Sequence, residues 1–310
     1  MKVAGLKDTV SQWRRSSLDT FRIGPTFPNK QSWSHQKPYI VSCQSLEDRR
    51  TSAGEEEQQR VILRQVLVGL ERDKINKDDD RQFYSIPRLV NHCDTHFRED
   101  LQSIYSEYLG DLNKINCRGS EAVDNDDIVI LDIGSSFVSH LPPEISTPKH
   151  TIIGHGMNAE ELSKNPCLSR FFVRDLNKDP SGWALASESV DAALCCCSVQ
   201  YFQQPEKVFA EIHRVLKPGG VCVISFTNRM FWEKAIQYWR QTNDYGRVQL
   251  VKQYFTSIDG FLPPTQVQPA TRTQNKLPLQ MQIERIFEPL SRGLGTSRDP
   301  FYAVIAYKSY

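Results

Sequence analysis

The chain has 310 residues, with 38 Lys and Arg against 37 Asp and Glu and a formal charge of +1. So even a balance provides no global basic field to draw nucleic acid, and no apolar run approaches the roughly 20 residues that span a bilayer. The length fits one domain of about 100–200 residues with an appendage.

Residues 1–43 are rich in Ser, Thr, Lys and Arg, have only Asp8 and Asp19 as acids, and show no sustained apolar period. That is the composition of a transit peptide, which a plain disordered tail shares. Residues 44–82 carry the acidic run Glu55, Glu56, Glu57, the apolar repeat VILRQVLVGL at 61–70 and a charged stretch ending in DDDR. They read as a helix followed by a loop. From Phe83 to Leu112 the pattern predicts a turn with Pro87 near a helix start, then helical structure with Ile104, Tyr105, Tyr108 and Leu112 on one apolar face. Residues 44–120 are therefore expected to form an N-terminal helical segment.

Five short apolar runs follow: IVILDI (128–133), TIIG (151–154), FFVRD (171–175), VDAALCCC (190–197) and VCVISF (221–226). Each is too short for a helix and mostly unbroken rather than alternating, as strands buried on both faces of a parallel sheet are. Helical patterns at Asn158–Lys164 and Glu206–Leu216 lie between them, which predicts a doubly wound α/β fold with helices on both sides. Ligands of such sheets bind beyond the carboxyl ends of the strands. Past Met230 one helix is expected over Phe231–Arg240 and a second ends in YFTSIDGF. Arg272–Leu277 reads as a flexible excursion, and Arg292–Arg298, with Gly293 and Gly295, as a loop.

The eight cysteines include no C-x-x-C pair. On a buried strand Cys195, Cys196 and Cys197 should alternate between faces and fail to converge on one ion. His92, Cys93 and His96 in a lone helical turn supply too few ligands for a closed site. No metal is expected, and reduced thiols argue against a secreted chain.

Glu211, Arg214, Val215, Leu216, Lys217, Pro218, Gly219 and Gly220 stand in the register E-x-x-R-V-L-K-P-G-G. In this respect the chain resembles the class I S-adenosylmethionine-dependent methyltransferases. LDIGSSFVSHLP (131–142), GHGMNAEEL (154–162) and RDLNKDP (174–180) are similar to a methyltransferase-like family of plants and bacteria. The likeness extends to FYSIPRLVNHCD at 83–94 and DPFYAVIAYK at 299–308. It implies a Rossmann-like, mainly parallel seven-stranded sheet over residues 121–310, completed by antiparallel strands at FLPPTQV and FYAVIAY. It further implies S-adenosyl-L-methionine as cofactor and a methyl acceptor that the charge balance favours as a small molecule or a protein. YIVSC at 39–43 resembles a plastid cleavage neighbourhood, so the chloroplast is the expected destination, with mitochondrion and cytoplasm as alternatives.

The resemblance also assigns positions. Methyltransferases place D-x-G-x-G-x-G where the first strand turns into a helix, so that backbone approaches the methionyl part of the cofactor; here Asp132 and Gly134 are kept, with Ser136 and Val138 at the next two glycine positions. A plain turn with Ser135 or Ser136 capping the helix is the other reading. In Gly154–Asn158 the carboxylate that relatives use for the ribose is replaced by Gly156, leaving His155 and Asn158 as polar substitutes, while Glu160 and Glu161 favour a helix dipole. Asp175 and Leu176 fall where relatives contact adenine, although Asp175 could equally cap a turn. Ser198 to Tyr201 is the loop that borders cofactor and substrate. The N-terminal segment would close over the cofactor with Tyr84, Arg88, His92 and Asp94 facing the cleft, which makes His92, Tyr84 and Tyr201 the candidate catalytic residues and His92 a candidate general base. Lys217–Gly220 has a structural role only. The departures at Gly156 and in the glycine loop leave open a non-catalytic member that keeps the fold as a binding or assembly module.

Overall fold

A computed structural model describes residues 39–40, 61–116, 127–269 and 298–310. The expectations for residues 1–38 and 41–60, and those for Arg272–Leu277 and 292–297, lie outside the described residues.

The strands are β1 (Tyr39–Ile40), β2 (Val129–Ile133), β3 (Thr151–Gly156), β4 (Arg170–Val173), β5 (Val190–Cys196), β6 (Leu216–Phe226), β7 (Thr265–Val267) and β8 (Tyr302–Tyr307). They form one sheet in the order β1-β4-β3-β2-β5-β6-β8-β7. All neighbours from β1 to β6 pair in parallel, whereas β8 runs antiparallel between β6 and β7. The seven expected strands are thus present, in a mainly parallel, Rossmann-like sheet. Tyr39–Ile40 adds an eighth at the edge, in register with Arg170 and Phe171.

The helices are α1 (Asp80–Phe83), α2 (Thr95–Asn116), α3 (Ala159–Ser163), α4 (Pro205–Val215), α5 (Gln237–Gln241) and α6 (Asp244–Thr256). None of the described helices is long and apolar enough to cross a membrane.

Unbroken apolar strands bury alternate residues on opposite faces. Ile130, Ile152, Ala192, Leu194, Val221 and Val223 pack with Phe97, Leu101, Ile104, Tyr105 and Leu109 of α2. Leu131, Ile133, Ile153, Ala193 and Cys195 pack instead with Val208, Phe209 and Ile212 of α4 and Val248, Val251 and Tyr254 of α6. The apolar face expected over 104–112 is thus the inward one, with Tyr108 partly buried beside it.

Four local expectations are corrected. No helix follows β2; residues 135–150 run as loop and turns. Pro142 and Pro143 have no N–H to give a helix, His140 has φ 52°, and the fully buried Asn165 donates to Ser136 O at 3.0 Å and Ser139 Oγ at 2.9 Å, which holds the loop. Residues 61–70 are not a helix either: Ile62 bridges Ile258, Gly69 has φ +51°, and only Gly69–Arg72 forms a 3₁₀ turn. The stretch ending in DDDR, expected as loop, instead starts α1, with Asp79 accepting from Arg81 N–H at 2.9 Å. Helix starts also shift, α2 beginning at Thr95 rather than near Pro87 and α5 at Gln237 rather than Phe231, ending at Gln241. Asp94 sets the first of these by accepting the Phe97 N–H at 2.7 Å.

Candidate functional site

A cavity of about 860 Å3 opens beyond the carboxyl ends of β2, β3, β4 and β5, and residues 84–93 and 227–232 complete its walls. That is the position and the size range of a small-molecule site in such a sheet. Asp132, Gly134, Ser135, Ser136, Asn158, Asp175, Leu176, Ser198, Tyr84, Arg88, His92 and Tyr201, the expected site residues apart from two glycines and Asp94, all line it.

Gly134 has φ +70°, and a Cβ there would lie 2.2 Å from Ser198 Oγ. Only glycine lets the ends of β2 and β5 approach this closely. Its N–H donates to His155 Nδ1 at 3.2 Å, the Ser135 N–H donates to His155 O at 2.7 Å, and His155 Nε2 donates to Arg174 O at 2.9 Å. Burial lowers the His155 pKa to about 4, so the ring is a neutral strut whose two nitrogens are both used. Asp132, 4% exposed, has its carboxyl pushed up to about 6 by burial, and among the described residues its Oδ2 has no hydrogen-bond partner.

The end of β3 differs from expectation. Gly154 and Gly156 do not line the cavity. A Cβ on Gly154 would meet Leu168 at 2.5 Å, and one on Gly156 would meet Ser135 O at 2.5 Å and Leu162 at 3.2 Å. Position 156 therefore faces packed backbone and has no path for a carboxylate to the cavity. Asn158 is fully committed: its Oδ1 accepts from Glu160 and Glu161 N–H, and its Nδ2 donates to Tyr84 O at 2.8 Å and Ser85 O at 3.2 Å. It caps α3 and tethers residues 84–85.

The carboxylate at this corner is Glu161, which the dipole reading had set aside. It lines the cavity, accepts from Arg88 N–H at 2.6 Å and from Ser136 Oγ at 2.5 Å, and so joins the segment of residues 84–93 to the loop after β2. Its signal in the sequence was the spacing of one helical turn from Asn158, which places it over the strand end.

Asp175 caps a turn, its Oδ1 accepting from Asn177 N–H at 2.9 Å, and the residue also lines the cavity. Asn177 ties this turn to Asp80 at 2.9 Å and to Tyr201 O at 3.1 Å. Tyr201 accepts the Phe231 N–H at 2.9 Å on its hydroxyl and stacks on the Phe231 ring, and burial pushes its pKa up to about 12. Tyr84 is likewise raised by burial. His92 sits edge-on to Phe231 at 5.4 Å with its pKa lowered by desolvation, so it is unprotonated at neutral pH, the form a base requires.

Arg88 lies 4.5 Å over the Phe83 ring and 5.2 Å from that of Phe231. Its Nη2 donates to Phe83 O, whereas its buried Nη1 has no partner among the described residues. Asp94 is absent from the wall. It is 3% exposed and exchanges hydrogen bonds with Asp299, each N–H donating to the other's carboxylate at 2.8 and 2.6 Å, which latches the start of α2 to the segment before β8.

Cysteines also line the cavity, contrary to the alternation argument. Cys195 does face the opposite core, but Cys197 lies past the strand end with φ 51°, which returns its side chain to the same side as Cys196. Cys93 meets them, its Sγ 3.4 Å from that of Cys197. Hydrogen bonds donated by Cys196 and Cys197 hold the Cys93 thiol well below the usual thiol range.

Residues 153–224 match the family model of a methyltransferase domain. No curated protein matches the chain. Solved structures similar to it include an S-adenosylmethionine-dependent methyltransferase from Mesorhizobium loti, at 16% identity over 59% of this chain and 91% of that one with a TM-score of 0.34. A second, from Archaeoglobus fulgidus, is also described as S-adenosylmethionine-dependent, at 14% identity over 68% and 94% with a TM-score of 0.41. Phosphoethanolamine N-methyltransferase 2 of Haemonchus contortus, solved with S-adenosyl-L-methionine, is 16% identical over 66% of this chain and 53% of its own, with a TM-score of 0.37.

Proposed function

We propose that the chain is an S-adenosylmethionine-dependent methyltransferase whose cofactor lies in the cavity at the ends of β2 to β5. The observation that carries this reading is the placement of the matched methyltransferase region, residues 153–224, against a cleft at the carboxyl edge of the parallel strands. The residues fit the group. Gly134 leaves room for close approach, Asp132 lines the site with a buried carboxyl group, and Asp175 with Leu176 offers a polar edge beside an apolar face.

In this reading Gly134, Ser135 and Ser136 hold the methionyl end, Asp175 and Leu176 the adenine, and Glu161 accepts from the ribose in place of the carboxylate that Gly156 lacks. Bound there, S-adenosylmethionine supplies a sulfonium methyl for an acceptor nucleophile. The chain's part is to orient the two and exclude water, with neutral His92 available to take a proton. The acceptor is a small molecule or a protein. The chloroplast is its proposed location, supported by the composition of residues 1–43 alone.

The commitment of Asn158 to α3 and to residues 84–85 favours a second reading, a binding module that has lost the cofactor. Calorimetric titration of the full chain with S-adenosylmethionine and S-adenosylhomocysteine decides between them. A single site for both, weakened by about 1–3 kcal/mol in Asp175→Ala and in Glu161→Gln, is expected. No binding to the folded chain would favour the module.

A further inference from the structure

We propose that Cys93, Cys196 and Cys197 form a site for one zinc ion with its fourth position open to the cavity. The three sulfurs all lie within 4.8 Å of one another, and each residue lines the cavity wall. Sulfurs about 2.3 Å from a tetrahedral ion stand about 3.8 Å apart, so the cluster closes on an ion by small side-chain rotations. The backbone that presents them is held. Cys197 N–H donates to Ser225 O at 2.8 Å and Cys197 O accepts from Gln200 Nε2 at 2.8 Å, while Cys93 stands just ahead of the latched start of α2.

Three sulfur ligands select a soft, thiophilic ion over magnesium or calcium, which prefer oxygen. Three protein ligands leave one valence for water or for a donor atom of a molecule in the cavity, the arrangement of an open rather than a closed zinc site. The thiols bind as thiolates and release their protons to solvent. A merely redox-active pair would need only Cys93 and Cys197; the convergence of Cys196 as a third ligand favours the ion. The inference does not depend on the methyltransferase reading.

The test uses the reduced, chelator-treated full chain titrated with Zn2+ against a chromogenic chelator, and with Co2+ followed by absorption. One tight equivalent is expected, with sulfur-to-cobalt charge-transfer and tetrahedral d–d bands. Cys93→Ser, Cys196→Ser and Cys197→Ser should each lose more than the roughly 10–100-fold that removal of an outer partner costs, whereas Cys195→Ala keeps the affinity. X-ray absorption of the zinc-loaded wild-type chain needs no variant and should give three sulfur neighbours at about 2.3 Å. Binding that survives the Cys197 change in a folded variant, fewer than three sulfur neighbours, or a chain that isolates with a Cys93–Cys197 disulfide and takes up no ion on reduction would overturn the proposal.

Discussion

Asp132 carries a carboxyl group almost wholly withdrawn from water, with one oxygen unpartnered among the described residues, and burial raises its pKa to about 6. Between its unfolded value near 3.8 and about 6 the folded chain binds more protons than the unfolded one, so this group's contribution to stability falls as pH rises through that window and the cost persists above it. Asp132→Asn removes the ionisation. The variant should exceed the wild type by about 1–3 kcal/mol at pH 8 and lose that advantage below pH 4, as followed by urea unfolding across pH. A difference independent of pH would show that the carboxyl is not desolvated. Gly156 gives a second test, because its Cβ direction points at the Ser135 carbonyl 2.5 Å away. Gly156→Asp should therefore destabilise by about 1–3 kcal/mol or more and weaken cofactor binding, rather than restore a ribose contact. Tighter binding with native stability would refute that geometry.

The parallel strands were legible as elements because unbroken runs such as VDAALCCC have few other uses, and the α2 face was legible from its period. Elements set by single long-range bonds were not. The segment 61–72 has the apolar content of a helix but is held in place by Glu206, 4% exposed, which accepts from Val66 N–H at 2.7 Å and pairs with Arg72 at 2.8 Å, 134 residues away in sequence. Glu206→Ala should cost about 2–4 kcal/mol by removing the guanidinium's counter-charge and the acceptor of the Val66 and Leu67 N–H groups, and hydrogen exchange over 61–72 should rise most. Exchange unchanged there would mean that Leu67, fully buried, is anchor enough. The loop after β2 was missed for a similar reason: its conformation is imposed by Asn165, and nothing in residues 135–150 announces that partner. The thiol cluster was missed because period-two alternation fails at Cys197, where the strand has already ended.

Across the whole molecule, strand ends supply a rigid rim, and residues 84–93 lie over it through Asn158, Glu161 and the Cys93–Cys197 contact. The position of the site and most of its lining followed from the strand order, whereas the parts of Glu161 and the cysteines did not, since these depend on loop and helix placement. The proposed presequence is tested separately: residues 1–43 fused to a fluorescent reporter should enter plastids, and a reporter left in the cytosol would defeat the targeting proposal. Removing the same residues also deletes the β1 pairing, which adds only two residues at the sheet edge, so stability should change by no more than about 0.5 kcal/mol. The most direct measurement of the central claim is amide hydrogen exchange of the full chain with and without saturating S-adenosylhomocysteine. Protection should concentrate at residues 84–92, 134–136, 157–161 and 175–177, the two walls and the rim that the nucleoside would bridge. Unchanged exchange at those segments, with the ligand shown to be bound, would place the cofactor elsewhere and contradict the account.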